Sequence, residues 1–416
     1  MRFIYLVFFQ LVTVNTFTIF NRILQKNIKE HHIFQKKNLE SALFKKSKEF
    51  LPIHKPSLDN RLQTLNNKLN FSELTNQNKF DLAWYVIGTP NSFSKNKLNQ
   101  ITIWNKNYVV WKDSENNFHA LDDVCSHKSA SLARGKLIND TVMCPYHGYK
   151  FNNNGTLVTV PGINFQHSCI HDVKKYKIVN KNGWIYLNTF EGTHNIVASS
   201  YNQDNFTENI FVEEEAIDNK FNPVYLNMNF KCYSRVLSEN SLDVMHIGFV
   251  HTFGNSENPA PTFEDPPKLI NDYPYHFKTS YLYEAGRKSM AKKVFLFNNL
   301  TIENEFILPH TTVARVKFGE LISTVMTFAL PINMTHSELF VKTYRNFWNE
   351  NDVAKLIGNQ ITYQMMYQTM LQDKYVVESI AENCEDGKFN MKFDKLQNTY
   401  VSLYKKLVHN KLNCNK

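Results

Sequence analysis

No G-x-G-x-x-G run, nor any comparable flavin or nicotinamide signature, occurs in this chain. A protein that uses electrons without such a site takes them from a separate donor. Beyond the N-terminal region there is no internal repeat and no low-complexity tract, which excludes repeat architectures. Cysteine is scarce. Only six occur in 416 residues, and Cys169, Cys232, Cys384 and Cys414 stand without pair spacing. That excludes a disulfide framework and suits a reducing compartment. A basic body is lacking too. Of the formal +9, residues 1–20 carry +1 and residues 21–62 carry +6, which leaves +2 for all the rest. So even a charge balance excludes an extended nucleic-acid surface. The 43% hydrophobic content and the length allow two domains and a leader.

What is present is concentrated in two short pairs. Cys125-Ser126-His127 is followed, after sixteen residues, by Cys144-Pro145-Tyr146-His147. Two thiolates on one iron and two imidazoles on the other make a Rieske [2Fe–2S] centre. Neutral imidazoles in place of anionic thiolates leave such a cluster less negative, so it accepts an electron more readily. Pro145 stiffens the second loop, and Gly148 and Gly155 let the backbone turn close to the cluster. A structural zinc ion is the competing reading. Zinc fingers, however, pair Cys with Cys and His with His, whereas each loop here carries one of each. High-potential respiratory Rieske proteins resemble C-T-H-L-G-C and C-P-C-H, with a bonded cysteine pair bracing the loops. Ala130 and Tyr146 stand at those places here, so that brace is absent and the oxygenase type of cluster is favoured.

A second constellation is Asn240-x2-Asp243-x2-His246-x4-His251. Two histidines and a carboxylate on one face of Fe(II) leave the opposite face open. Asp243, three residues before His246, shares a helix face with it. His246 and His251, five apart, miss a shared face, so the helix bends or ends between them, and Gly248 permits that. The third ligand is Asp373 or Glu378, both on a C-terminal helical segment. Val244, Met245, Phe249, Val250 and Phe253 suggest an apolar pocket wall.

Short strand-like runs between Trp84 and Leu187 read as a small all-β domain over 80–195, with a hairpin turn at Asn105–Asn107. A second domain spans 205–390. Strand runs lie at Val224–Tyr233, His276–Tyr283, Lys293–Phe297, Thr301–Leu308, Thr311–Phe318, Ile322–Ala329 and Glu338–Phe347. From Asp352 a helical period follows through Leu356, Ile357, Ile361, Met365, Met366, Met370, Val376 and Val377. The fold class is α+β, a sheet wrapped on a C-terminal helix. Residues 391–416 read as a polar basic tail. Residues 1–20 have a signal-peptide pattern, and 21–79 a basic, transit-like segment and linker. This bipartite leader points to a plastid. The alternative is an anchor that leaves the enzyme on the cytosolic face of the ER.

Taken together, these motifs resemble the Rieske-type mononuclear non-haem iron oxygenases over about residues 80–390. The branch resembled holds vanillate demethylase, pheophorbide a oxygenase and chlorophyllide a oxygenase. The resemblance implies a Rieske domain followed by a helix-grip catalytic domain. It implies Cys125, His127, Cys144 and His147 on the [2Fe–2S] cluster, and His246, His251 and Asp373 on a mononuclear Fe(II). Asp243 bridges to a cluster histidine of a neighbouring subunit, and Asn240 supports the iron ligands. A homotrimer, a ferredoxin or separate reductase, and a small hydrophobic ring substrate, a chlorophyll-derived tetrapyrrole among them, are implied as partners. Plastid members commonly end in hydrophobic membrane segments, and Phe389–Lys416 lacks one. Two rivals stay open: a cluster-only electron relay with two irons per chain instead of three, and an ER sterol or aromatic-compound oxygenase.

Overall fold

The computed structural model describes residues 76–164, 166–190, 209–271 and 275–409. The expected leader, apart from its last residues, lies outside them. The expected linker ends in a helix, α1 (Asn76–Asp81).

The first domain is built on strands, with three single 3-10 turns between them. A three-stranded sheet orders β1 (Trp84–Gly88), β11 (Trp184–Asn188) and β10 (Ile178–Lys181). A four-stranded sheet joins β2 (Asn99–Ile103), β3 (Lys106–Lys112), β4 (Phe118–Asp122) and β9 (Lys175–Tyr176). A second four-stranded sheet joins β5 (Lys136–Ile138), β6 (Thr141–Met143), β7 (Lys150–Phe151) and β8 (Leu157–Thr159). The β2–β3 hairpin is tighter than expected. Ile103 pairs with Lys106, and Trp104 and Asn105 form the turn with φ of 51° and 62°. Two left-handed residues match the twist of the flanking strands.

The second domain is one eight-stranded antiparallel sheet. It runs β12 (Asn222–Phe230), β19 (Ser337–Arg345), β18 (Leu321–Pro331), β17 (Thr311–Phe318), β16 (Asn299–Ile307), β15 (His276–Glu284) and β13 (Phe263–Glu264), with β14 (Lys268–Asn271) also on β15. Strand alternation separates two chemistries. Leu300, Ile302, Thr312, Ala314, Val316, Val325 and Thr327 line a cavity on one face. On the other, Arg315 is buried between Glu215 and Glu305, which ties residues 213–217 to the sheet. Helices α2 (Ser234–Leu242), α3 (Ile247–Val250), α4 (Met290–Lys293) and α5 (Asp352–Val377) lie in the second domain. Asn351 starts α5 by accepting the Ala354 N–H, and Asp352 and Lys374 complement the helix dipole.

Three expectations need correction. Lys293–Phe297 is the end of α4 and a loop, not a strand. Leu356 and Ile357 on α5 are exposed, so its inward face begins later. Residues 391–416 are not simply a polar tail. Lys395–Tyr404 forms α6, whose Leu396, Tyr400, Leu403 and Tyr404 are buried in the core with Leu407 and Val408. The apolar residues sit three or four apart among lysines and asparagines, so mean polarity hides a one-sided helix.

The domains share a core. Trp184 packs edge-on against Tyr225, Phe328 and Phe340. The Trp104 and Asn105 N–H groups donate to Pro331 and Ile332, fixing the first domain on the end of the large sheet.

Candidate metal centres

Strand β4 runs into the Cys125 loop, and β6 delivers Cys144. The two loops close identically. The Cys125 N–H donates to Ala130 O at 2.9 Å, and the Ser129 N–H donates back to Cys125 O at 2.9 Å. In the second loop, Cys144 N–H donates to Tyr149 O at 2.8 Å, and Gly148 N–H to Cys144 O at 3.1 Å. The fourth residue after each cysteine is left-handed, Ser129 at φ 56° and Gly148 at φ 73°. Different sequences thus build one turn twice, and glycine serves the second because a left-handed residue costs it nothing.

Both thiols are buried, while both imidazoles reach the surface, 4.8 Å apart between ring centroids. Burial, and next to it the Cys144 thiol, push the Cys125 pKa above its ordinary value. Among the described residues, His246, His251 and Asp373 are the one group of three or more donors whose ligand atoms all lie within 4.8 Å. Inner thiols and outer imidazoles suit a two-iron cluster.

The first loop is held from its own side by polar contacts that its motif does not show. Buried Asp123 accepts from Ala133 N–H at 2.6 Å, Ser131 Oγ at 2.8 Å and Gln100 Nε2 at 2.5 Å. Ser126 Oγ donates to His171 O at 2.6 Å, tying the first loop to a neighbouring turn.

The second centre lies where α2 ends. Asp243 does not share a helix with His246. It is extended (ψ 127°), and its Oδ1 accepts from Met245 N–H at 2.6 Å. His246 starts α3, and His251 follows it in extended conformation (φ −96°, ψ 137°). The helix ends between the histidines, as their spacing demands, but at Val250. Gly248 acts by size: a Cβ there would lie 2.8 Å from Pro259 Cβ.

Helix α5 brings the carboxylate. Met366, Met370 and Asp373 follow at four and three residues, on one inward stripe, and all three line the cavity. Asp373 Oδ1 lies 3.5 Å from His246 Nε2 and 3.4 Å from His251 Nε2, and the two Nε2 atoms are 3.2 Å apart. Asp373 Oδ1 and His246 Nδ1 are buried without a hydrogen-bond partner. An orphaned carboxylate oxygen facing two imidazole nitrogens is a donor set that a divalent ion completes. Glu378 is engaged elsewhere, accepting from Lys231 N–H at 2.7 Å and paired with Lys374 at 3.2 Å.

The electrostatics agree. Burial opposes the charged Asp373, but the two histidines outweigh it and hold its pKa below the carboxylate range. Burial opposes charging His246 too, yet Asp373 and Asp243 raise its pKa. His251 is lowered, by burial and then by His246. Its Nδ1 meets Gln372 Oε1 at 3.0 Å. Gln372 was missed in the sequence because glutamine at an arbitrary helix position carries no motif. Asn240 lies beside Asp373, where its side chain helps lower the carboxyl pKa.

The triad opens onto a cavity of about 290 Å³ lined mostly by apolar side chains. Of the five expected wall residues Phe253 lines it. Phe249 is exposed, on the solvent side of α3, and Val244 is buried in the core beside Tyr283, Leu300 and Ile302 without lining the cavity itself. No helix among the described residues is long and apolar enough to cross a membrane.

Comparison with known proteins bears on the whole arrangement. Residues 83–177 match the Rieske [2Fe-2S] domain, and residues 230–410 match the vanillate O-demethylase oxygenase C-terminal domain. The oxygenase component of 3-ketosteroid-9-alpha-monooxygenase from Rhodococcus rhodochrous is 34% identical over 92 residues, 22% of this chain and 24% of that protein. Chloroplastic chlorophyllide a oxygenase from Chlamydomonas reinhardtii is 24% identical over 181 residues, 43% of this chain and 26% of that protein. The chain thus spans about a quarter of either relative's length. Dicamba monooxygenase bound to dicamba has a similar fold, with a TM-score of 0.64 at 19% identity over 81% of this chain and 99% of that one.

Proposed function

The chain belongs to the Rieske-type non-haem iron oxygenases, and from that premise we propose that it is a monooxygenase of small hydrophobic ring compounds. In this reading Cys125, His127, Cys144 and His147 hold a [2Fe–2S] cluster, and His246, His251 and Asp373 hold Fe(II). The observation that carries it is the convergence of His246, His251 and Asp373 at one wall of an apolar cavity.

Bound Fe(II) would supply O2 activation there, using electrons relayed by the cluster. The chain's own part is positioning. Gln372 fixes the His251 ring so that Nε2 faces the centre. Asp243, 3.8 Å from His246 Nδ1, sits behind that ring and is suited to link it to an incoming cluster histidine. The apolar wall holds a ring substrate and excludes bulk water.

His127 and His147 reach the surface, which supports electron transfer between subunits, and the exposed Leu356, Ile357, Tyr363, Tyr367 and Tyr375 of α5 support an assembly, in this reading a trimer. The absence of a nicotinamide or flavin signature supports an external ferredoxin or reductase. A plastid location draws support from similarity to a chloroplastic relative. The test is turnover under ¹⁸O2 with chemically reduced protein and a panel of ring compounds. One ¹⁸O atom in product is expected. Electron transfer through the protein with no oxygen incorporated would favour the cluster-only relay.

A further inference from the structure

The cavity beside the triad has no lysine or arginine among its lining residues, and its charged groups are Asp243, Asp373 and the two histidines. An anionic substrate would find no lysine or arginine to pair with there, only the iron that the triad would hold, whose charge Asp373 already offsets in part. The volume, about 290 Å³, sits at the low end for ligand sites of about 300–1,000 Å³. That favours a compact ring system over a tetrapyrrole.

The lining hydroxyls differ in what they have left to give. Ser241 Oγ donates to Leu237 O, and Thr369 Oγ1 to Met365 O, so both are spent on their own helices. Thr312 and Thr327 face each other across β17 and β18, both almost fully buried, with their oxygens 2.6 Å apart. Each hydroxyl brings one proton, and the contact between them uses one. The second O–H is left over in an apolar cavity, where an unmade hydrogen bond is costly.

We propose that the Thr312–Thr327 pair is a specificity element of this cavity, donating its spare O–H to a neutral oxygen of the substrate, so that the substrate class is compact, uncharged ring compounds bearing a carbonyl or ether oxygen. This rests on the oxygenase reading above. Binding is scored without turnover, so failure here and failure of that reading are separable.

The experiment is calorimetric titration of the iron-loaded protein, without O2, at pH 7.5. The probes are 2-acetylnaphthalene, its near-isostere 2-isopropylnaphthalene, and 2-naphthoate. The ketone should bind and the naphthoate should not. Thr312→Val with Thr327→Val should weaken the ketone about five- to tenfold and spare the isopropyl compound. Thr312→Ser with Thr327→Ser should keep the preference and shows that the site tolerates change. Naphthoate binding as tightly as the ketone, a ketone affinity indifferent to the valines, or no binding by either neutral probe would overturn the proposal.

Discussion

Gln372 Oε1 stands 3.0 Å from His251 Nδ1, on the side of the imidazole away from Asp373. A ring with its Nδ1–H committed presents an Nε2 lone pair, so one side chain sets both tautomer and orientation. Gln372→Leu removes that acceptor at similar size. Iron at the triad is expected to bind about 10–100-fold more weakly in competition with a chelator, with the visible spectrum of the cluster unchanged. Unchanged iron retention would show that His251 is oriented by packing alone.

Asp373 and Glu378 make opposite predictions. Asp373→Ala should abolish substrate-coupled O2 uptake and lower iron by one per chain. Glu378→Ala, which loses contacts to Lys231 N–H and Lys374, should cost only stability. Turnover surviving in Asp373→Ala would move the ligand assignment.

His310 couples stability to pH. It is fully buried, stacked on Tyr85 at 4.8 Å, and burial alone lowers its pKa to about 3. The unfolded imidazole titrates near the usual value of about 6.5. Between those values the unfolded state binds the extra proton, so this contribution to stability is full above about pH 6.5 and is lost as pH falls toward 3, by a few kcal/mol in all. His310→Phe keeps the stack and removes the titration. Its denaturation midpoint should fall less between pH 7 and pH 5 than the parent's. Parallel curves would exclude His310 as a source of the slope.

Gly155 tests the fold around the first centre. Its φ is +81°, and a Cβ would sit 1.9 Å from Val173 O. Gly155→Ala is expected to destabilise by more than the roughly 1–3 kcal/mol of backbone strain alone, and a melting temperature measures it. Gly162, also at positive φ but with nothing within 4 Å, should lose only the strain when changed to Ala.

Legibility in the sequence followed chemistry that is local. The Cys/His pairs carry their own spacing, and His246 and His251 announced a helix end because five residues cannot share a face. Asp373 emerged only as one of two acids, since the choice depends on which turn of α5 faces the histidines, and tertiary packing decides that. Asp123 and Gln372 were invisible because their partners, Ala133 N–H and the His251 ring, are brought to them by the fold. Helix α6 was hidden by averaging: lysines and asparagines on one face obscured Leu396, Tyr400 and Leu403 on the other.

The most direct test is metal analysis of the purified chain together with its paramagnetic resonance after dithionite reduction. Three irons per chain and a rhombic signal from the reduced cluster are expected. Zinc bound by Cys125 and Cys144, or two irons per chain with the His246–His251–Asp373 site unable to take up Fe(II), would contradict the account.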